Sequence, residues 1–193
     1  GYDLVGGSDE VGRGALAGPV AAGLVVFPRN VDSSLLLEVT DSKKLSQKNR
    51  ERLSNVIYRE SIVCEVAFTK VAEIDEIGIV PATKLAMSRA IEKSVLKIDY
   101  LIVDALDMAD AGIPFQSLYK ADQISKTVAA ASIVAKVQRD HHMRLLSKEL
   151  PGYYLDRNKG YGTKEHMSSI SKLGPSIEHR KSFAPVSNMI LGD

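Results

Sequence analysis

Short apolar runs alternate along the chain with longer stretches in which apolar residues recur every three or four positions. Apolar runs of about four to eight residues, bounded by polar or turn residues, are typical of buried strands. Five runs fit this description, the last of them weakly: residues 4–8, 21–27, 61–68, 100–103 and 115–119. The pattern predicts strands at these positions.

The stretches with helical spacing predict helices at residues 46–60, 81–97, 125–150 and 164–173. Ser46 and Thr163 stand where N-caps are expected, and Pro81 suits a first helical position. Pro151 and Gly152 are expected to end the third helix. Strands come first and then alternate with helices, so the pattern predicts an α/β protein with a mixed sheet.

A chain of 193 residues is the usual size of one domain. We expect residues 1–150 to form the core. Residues 151–193 hold one predicted helix and many turn residues, so we expect a C-terminal extension packed on that core as part of the same domain. The alanine-rich stretch at residues 127–137 is interpreted as a close-packing surface of the long helix, and Asp140 as a structural residue.

Composition restricts the possible compartments and partners. The net charge is +1, from 25 basic and 24 acidic residues, so any nucleic-acid surface must be local. The one cysteine, Cys64, lies in an apolar run and is predicted to be a core residue; a disulfide within the chain is impossible. No signal-peptide pattern and no apolar stretch of about 18 residues is present. We therefore expect a cytoplasmic protein without a membrane span. A monomer is a separate expectation, which these observations do not establish.

Four acids are predicted at the tips of core elements. Asp9 and Glu10 follow the first strand, and Asp104 ends the fourth. Asp122 precedes the long helix. Ligands gather at the carboxyl ends of parallel strands, so these side chains converge if the strands are neighbours. Converging carboxylates need a cation between them, and Mg²⁺ prefers such oxygen ligands.

Other metal and nucleophile chemistry is disfavoured. The sequence has no CxxC and no HExxH, and adjacent His141 and His142 do not share a helix face, so a zinc site is not indicated. We interpret both histidines as residues of the helix surface. A serine nucleophile is not supported either, because the GxSxG elbow is absent.

The glycine-rich segment after the acids raises a geometric question. Successive strand side chains point to opposite faces, so Asp9 and Glu10 cannot both serve one metal from a regular strand. We expect the strand to end here and the chain to turn. Gly12 and Gly14 would then let backbone N–H groups approach a phosphate, and Arg13 would add charge. A surface turn with an internal ion pair is the alternative.

Two further segments suggest contacts with nucleic acid. Lys43 and Lys44 directly precede a predicted helix, where phosphates often bind, although a solvated helix face has the same composition. Tyr161 lies between two glycines and could lie flat against a base or sugar. A tight turn with Tyr161 packed inward is the alternative.

Six segments together resemble ribonuclease HII of the bacterial single-chain type. They are GGSDEVGRGALAGPV, DSKKLSQKNRE, LIVDAL, KADQISKTVAAASIVAKVQRD, PGYYLDRNKGYGTKEH and GPSIEHRKSFAPV. The resemblance implies a ribonuclease H-like fold, with a mixed five-stranded sheet flanked by helices and a small helical C-terminal extension. It also implies an endonuclease that uses Mg²⁺ or Mn²⁺, with two ions expected when substrate is bound.

The implied substrate is an RNA–DNA hybrid or duplex DNA that contains a single ribonucleotide, cut on its 5′ side to leave a 3′-hydroxyl and a 5′-phosphate. The family's metal-binding acids correspond to Asp9, Glu10, Asp104 and Asp122. Its junction-reading motif corresponds to Gly12, Arg13 and Gly14, and its sugar-stacking tyrosine to Tyr161. The chain departs from the family at Ser8, Ala15 and Asn158, and in the Ala-Leu that follows Asp104.

Two other functions stay open from sequence. One is a related nuclease that needs several consecutive ribonucleotides. The other is a non-catalytic module that binds hybrids; the intact acids argue against it, because clustered negative charge would repel phosphate.

Overall fold

The centre of the computed structural model, which describes residues 1–191, is a mixed five-stranded sheet. The strands are β1 (Val5–Val11), β2 (Val20–Val26), β3 (Val63–Thr69), β4 (Tyr100–Asp104) and β5 (Phe115–Leu118). Their order across the sheet is β3-β2-β1-β4-β5. β1, β4 and β5 run parallel, β2 is antiparallel to β1, and β3 is antiparallel to β2. The predicted α/β class and sheet are confirmed.

Helices cover both faces of the sheet. They are α1 (Ser33–Glu38), α2 (Gln47–Glu60), α3 (Val71–Ile77), α4 (Ile79–Lys93), α5 (Ala121–Ile124), α6 (Lys126–Glu149), α7 (Leu155–Asn158), α8 (Lys164–Leu173) and α9 (Ala184–Leu191). Ser46 and Thr163 cap α2 and α8, as predicted. Short 3₁₀ turns lie at Ser42–Lys44 and Ala109–Ala111.

Helix α6 lies directly against the middle of the sheet because the residues at the contact are small. A Cβ atom on Gly7 would lie 2.3 Å from the backbone of Thr127, and one on Gly23 would lie 2.4 Å from the carbonyl oxygen of Ala131. No side chain fits in that space. The interpretation of residues 127–137 as a close-packing surface is therefore confirmed, and this packing fixes α6 relative to β1.

Two apolar cores fill the spaces between sheet and helices. On one face, Ala21 and Val25 of β2 pack with Leu53 and Ile57 of α2 and with the alanines of α6. On the other face, residues of β2 and β4 pack against α4, including Ala82, Ala86 and Met87. Cys64 is half-buried in β3 beside the first of these cores, and burial raises the pKa of its thiol to about 12.

A third apolar cluster joins the end of α6 to the segment after residue 150. Met143 and Leu146 of α6 pack there with Leu155, Ile170 and Val186. Leu16 and Ala17, from the loop after β1, belong to the same cluster. The division of the chain at residue 150 stays a prediction.

Two predicted boundaries are wrong. The helix expected at residues 81–97 is α4, Ile79–Lys93, so Pro81 is its third residue and not its first. Gly78, with φ 83°, separates it from α3, which the sequence pattern did not indicate. The first strand does not end at Ser8 but continues to Val11. Within residues 1–191, no helix is both long and apolar enough to cross a membrane.

Candidate active site

Asp9 and Glu10 lie where β1 loses its partner on one side. The pairing of β1 with β4 ends at Ser8 and Val103. The pairing with β2 continues, so Asp9 and Glu10 stand opposite Gly23 and Ala22 in a regular ladder. The expectation that the strand ends before the acids is therefore wrong. Both side chains still line one pocket, because the edge of β1 is open beyond the last residue that pairs with β4.

Asp104 and Asp122 reach the same pocket from the neighbouring strand and the segment that follows β5. Asp104 is the last residue of β4, and its Oδ1 accepts a hydrogen bond of 2.8 Å from the backbone N–H of Ala121. That bond ties the start of α5 to β4, and α5 carries Asp122. We call the resulting cavity of about 470 Å³, which all four acids line, the acid pocket.

The basic residues that line the acid pocket compensate the charge of its carboxylates only in part. Burial, followed by the charges of Glu10 and Asp104, raises the pKa of Asp9 to about 7. Burial also raises the pKa of Glu10, although Arg13 opposes this effect. The pKa of Asp122 is raised by burial and by the charges of Asp41 and Asp104. The pocket thus holds acids whose ionised forms are disfavoured as they stand.

One carboxylate oxygen of the pocket also lacks a hydrogen-bond partner within the described chain. Glu10 Oε2 is the buried side-chain oxygen or nitrogen that has no hydrogen-bond partner among residues 1–191. Such a group costs free energy unless a ligand satisfies it. In the same range, no three acidic, histidine or cysteine side chains are placed so as to hold a metal ion. The donor set, oxygen ligands with one orphaned atom, nevertheless fits a divalent cation such as Mg²⁺ or Mn²⁺.

Gly12, Arg13 and Gly14, which we call the GRG loop, line the acid pocket beside the acids. Arg13 Nη1 lies 3.2 Å from Glu10 Oε1, so the ion pair of the alternative interpretation exists. The loop is not a plain surface turn, because it forms one wall of the pocket. Gly12 has φ 99°, and a Cβ there would lie 2.1 Å from Arg139 Nε, so only glycine fits.

Tyr161 lines the same pocket in a half-buried position. Its ring faces two cations, since Lys136 Nζ lies 5.9 Å and Arg139 Cζ 5.6 Å from the ring centroid. The ring therefore neither packs into the core nor hangs free in solvent. We call residues 159–163, which carry it, the Tyr161 loop.

The two lysines predicted together are separated by the structure. Lys43 lines the acid pocket, whereas Lys44 is not among its lining residues. Both belong to the 3₁₀ turn Ser42–Lys44, which directs neighbouring side chains apart. Asp140 does not line the pocket either; it is buried and forms an ion pair with Lys136 at 2.8 Å, which agrees with a structural role.

Several lining residues were not found from the sequence: Ser42, Arg50, Ser132 and Lys136. Ser132 and Lys136 are four residues apart on α6, a spacing that places both on one helix face and could have indicated them. Ser132 Oγ also lies 3.0 Å from Ser42 Oγ, which fastens the lysine-bearing turn to α6. Ser42 and Arg50 carry no comparable signal in the sequence.

Comparisons with known proteins identify the family of the chain. The sequence model described as ribonuclease HII matches residues 6–186. A relative from Dehalococcoides mccartyi, named ribonuclease HII, is 43% identical over 192 residues, which is 100% of this chain and 91% of that protein.

Two solved structures share the fold. The RNase HII of a PCNA:RNase HII complex from Archaeoglobus fulgidus superimposes with a TM-score of 0.81 at 27% identity, over 96% of both chains. Bst-RNase HIII in complex with Mn²⁺ gives 0.74 at 19% identity, over 99% of this chain and 70% of that one. With the family pattern extending over nearly all of its length, the chain belongs to the ribonuclease HII family of ribonuclease H endonucleases, which act on RNA–DNA hybrids.

Proposed function

We propose that this chain cuts duplex DNA on the 5′ side of a single embedded ribonucleotide, as well as the RNA of RNA–DNA hybrids. The observation that carries the proposal is the union, in one pocket, of four carboxylates with the GRG loop and Tyr161. Carboxylates suit phosphodiester hydrolysis with divalent ions. The loop and the ring suit recognition of a sugar.

In this proposal Asp9, Glu10, Asp104 and Asp122 hold the divalent ions, Mg²⁺ or Mn²⁺. When bound, two such ions activate a water and stabilise the leaving oxygen of an in-line displacement. The phosphorus–oxygen bond to the preceding 3′ oxygen breaks, which leaves a 3′-hydroxyl there and a 5′-phosphate on the ribonucleotide. The acids supply the negative charge that keeps the ions in place.

The other residues of the pocket select the substrate. The 2′-hydroxyl distinguishes RNA from DNA at a given position, and backbone groups of the GRG loop can address it without a dedicated side chain. Tyr161 stacks on the sugar of the next deoxynucleotide. Arg13 and Lys43 contribute positive charge towards phosphates. Lys44, which lies outside the pocket lining, is proposed only as a peripheral contact.

A cleavage assay with a mapped cut tests the proposal. The substrates are a duplex with one ribonucleotide, a continuous RNA–DNA hybrid and an all-deoxy duplex, each with Mg²⁺ or with excess chelator. We expect one cut 5′ of the single ribonucleotide, cleavage of the hybrid, no cutting of the all-deoxy duplex, and no turnover with chelator. Cleavage of the hybrid alone would support the nuclease that needs consecutive ribonucleotides. Activity in excess chelator would refute metal catalysis.

A further inference from the structure

Two arginines are fully buried beneath the GRG loop. Arg139 and Arg180 have no exposed surface, and neither forms an ion pair with a carboxylate of residues 1–191. Burial and the charge of Arg139 lower the pKa of Arg180 to about 9. Burying a guanidinium without a carboxylate partner costs free energy unless its N–H groups are hydrogen-bonded. The acceptors of these hydrogen bonds therefore show which part of the chain each arginine fixes.

The acceptors of Arg180 are carbonyl oxygens of the loop after β1. Nη2 donates to the Gly12 carbonyl and Nη1 to the Arg13 carbonyl, each at 2.8 Å. Nε and Nη2 both donate to the Gly18 carbonyl. One planar fork therefore fixes two consecutive peptide units of the GRG loop.

These hydrogen bonds determine the direction of the next two backbone N–H groups, those of Arg13 and Gly14. In a trans peptide the C=O and the next N–H point in opposite directions, and no cis peptide is present in the described chain. Since the carbonyls of Gly12 and Arg13 point down to Arg180, the N–H groups of Arg13 and Gly14 point away from it. Neither N–H has a hydrogen-bond acceptor within residues 1–191. Both residues line the acid pocket, so these donors are left for a ligand there.

A chain of hydrogen bonds holds the Tyr161 loop in a comparable way. His166 Nδ1 lies 2.9 Å from the Tyr161 carbonyl oxygen, and a carbonyl only accepts, so Nδ1 carries the proton. His166 Nε2 then accepts from His179 Nε2 at 3.1 Å. His179 Nδ1 accepts from the backbone N–H of Ser176 at 2.9 Å. Both rings are fully buried and every ring nitrogen is used.

The backbone around these two residues joins the loops to each other. Ala17 and His179 form an antiparallel bridge, and the N–H of Arg180 donates to the Leu16 carbonyl at 2.8 Å. The N–H of Leu16 in turn donates to the Gly160 carbonyl at 2.7 Å. The segment at residues 178–180 thus lies against Leu16 and Ala17, which follow the GRG loop in the chain and hydrogen-bond to Gly160 of the Tyr161 loop.

From these contacts we infer that the consecutive residues His179 and Arg180 are positioning residues for recognition of the ribonucleotide. Arg180 aims the N–H groups of Arg13 and Gly14 into the acid pocket, and His179 holds the Tyr161 loop through His166. We call Arg139, His166, His179 and Arg180 the positioning network. The inference rests on the proposed function, because it assigns these residues to the recognition step of that function.

Binding measured without cleavage tests the Arg180 arm. In an Asp9→Asn background, fluorescence anisotropy gives the ratio of the affinities for a duplex with one ribonucleotide and for the matching all-deoxy duplex. We expect Arg180→Lys, which keeps the charge but lacks the planar fork, to lower that ratio about tenfold. Affinity for the all-deoxy duplex should stay within about twofold, because phosphate contacts are unaffected.

Met87→Ala is the matched control, since Met87 is fully buried in the core on the far face of the sheet. It should lower thermal stability without changing the ratio. An unchanged ratio in folded Arg180→Lys would overturn the inference, and so would an Asp9→Asn protein that binds both duplexes equally. Residual cleavage by Asp9→Asn is scored separately, and it refutes the proposed catalytic role of Asp9 without affecting the binding ratio.

A double-mutant cycle tests the histidine arm. This test does not depend on whether Arg180→Lys folds. If His166 acts through the Tyr161 loop, His166→Ala weakens binding of the singly substituted duplex in the wild-type Tyr161 background only. Adding it to Tyr161→Ala should then change the affinity by less than about twofold. His166→Asn, whose amide nitrogen takes the place of Nδ1 and can still donate to the Tyr161 carbonyl, should recover part of the loss. Fully additive effects of His166→Ala and Tyr161→Ala would contradict the inference.

Discussion

The acid pocket and the positioning network adjoin each other, but they differ in how far their buried polar groups are satisfied by hydrogen bonds and opposite charges. In the network, each guanidinium and each imidazole has hydrogen-bond partners. Arg139, for example, donates to the carbonyls of Ala17, Pro19 and Lys159. In the pocket, burial and the charges of Glu10 and Asp104 raise the pKa of Asp9 to about 7, and Glu10 Oε2 has no hydrogen-bond partner among the described residues although Oε1 is paired with Arg13.

The difference indicates two kinds of task. A satisfied buried network rigidifies the structure around it, because any change in geometry leaves a polar group unpaired. Buried carboxylates that are only partly compensated destabilise the protein alone, and a bound cation would stabilise them. The network therefore fixes the shape of the loops around it, and the pocket suits a bound cation, as the proposed function requires.

Removing one charge from the pocket should have the largest effect on activity. Asp9→Asn should lower the cleavage rate about a thousandfold or more, because losing a metal ligand removes several kcal/mol of transition-state stabilisation. Substrate binding should survive. Single-turnover cleavage of a singly substituted duplex measures the rate. Asp110→Asn, the same change at a side chain that is 94% exposed, is the control and should be neutral. Full activity of Asp9→Asn would remove the proposed catalytic role of the pocket.

Disturbing the packing beside the network should have the largest effect on stability. Gly160 has φ 83°, and a Cβ there would lie 2.2 Å from the Ala17 carbonyl oxygen. Gly160→Ala should therefore cost about 3 kcal/mol or more in the free energy of unfolding, from backbone strain and overpacking together.

Gly112→Ala separates these two causes, because Gly112 has φ 66° but open space around the new Cβ. It should cost only about 1–2 kcal/mol. Urea denaturation of both variants measures the difference. Equal losses would show that the contact with Ala17 is not tight.

The pocket should make stability depend on pH in the absence of metal. The pKa of Asp9 rises from 3.8 to about 7 on folding, so between these values the folded state keeps a proton that the unfolded state has lost. Stability therefore falls as pH rises through this window. Asp9→Asn removes that loss and should stabilise the chelated protein at pH 8 by about 1–3 kcal/mol.

Below about pH 4 the stabilisation by Asp9→Asn should disappear, since both states of the wild type are then protonated. Thermal melts with chelator across this range test the sign. Added Mg²⁺ should raise the melting temperature of the wild type more than that of the variant. A wild type that is most stable at pH 8 with chelator would contradict the pKa assignment.

The smallest expected effect distinguishes the two lysines. Lys43→Ala should weaken substrate binding about threefold to tenfold and reduce the salt slope by about one, as loss of one phosphate contact does. Lys44→Ala, at a side chain outside the pocket lining, should change both much less. Anisotropy titrations at several salt concentrations measure the two slopes. Equal effects would place both lysines on the substrate path.

The sheet and the gathering of the acids were predictable because they follow from local patterns. Apolar runs mark strands wherever they occur, and acids that end adjacent parallel strands must meet at one edge. The continuation of β1 through Asp9 and Glu10 was not predictable in this way. Flanking glycines suggested a turn, but pairing with β2 keeps the strand regular.

The positioning network could not be predicted because its contacts are distant in sequence. Arg180 and the Gly12 carbonyl are 168 residues apart, and Arg139 and the Pro19 carbonyl are 120 apart. No local period relates a side chain to a backbone carbonyl at such a separation. The predicted start of α4 was wrong for a different reason. Proline is tolerated throughout the first turn of a helix, so Pro81 did not mark the first residue of α4.

The bridge between Ala17 and His179 has a consequence for biosynthesis. During translation the chain emerges from its N-terminus, so β1, β2 and β4 can pair and bring three of the acids together before residues 178–180 exist. The GRG loop lacks its partner in Arg180 until nearly all of the described chain has been made. A nascent or truncated polypeptide would therefore bring those acids together before the GRG loop is fixed in place. If the proposed function is right, discrimination between substrates would be acquired last.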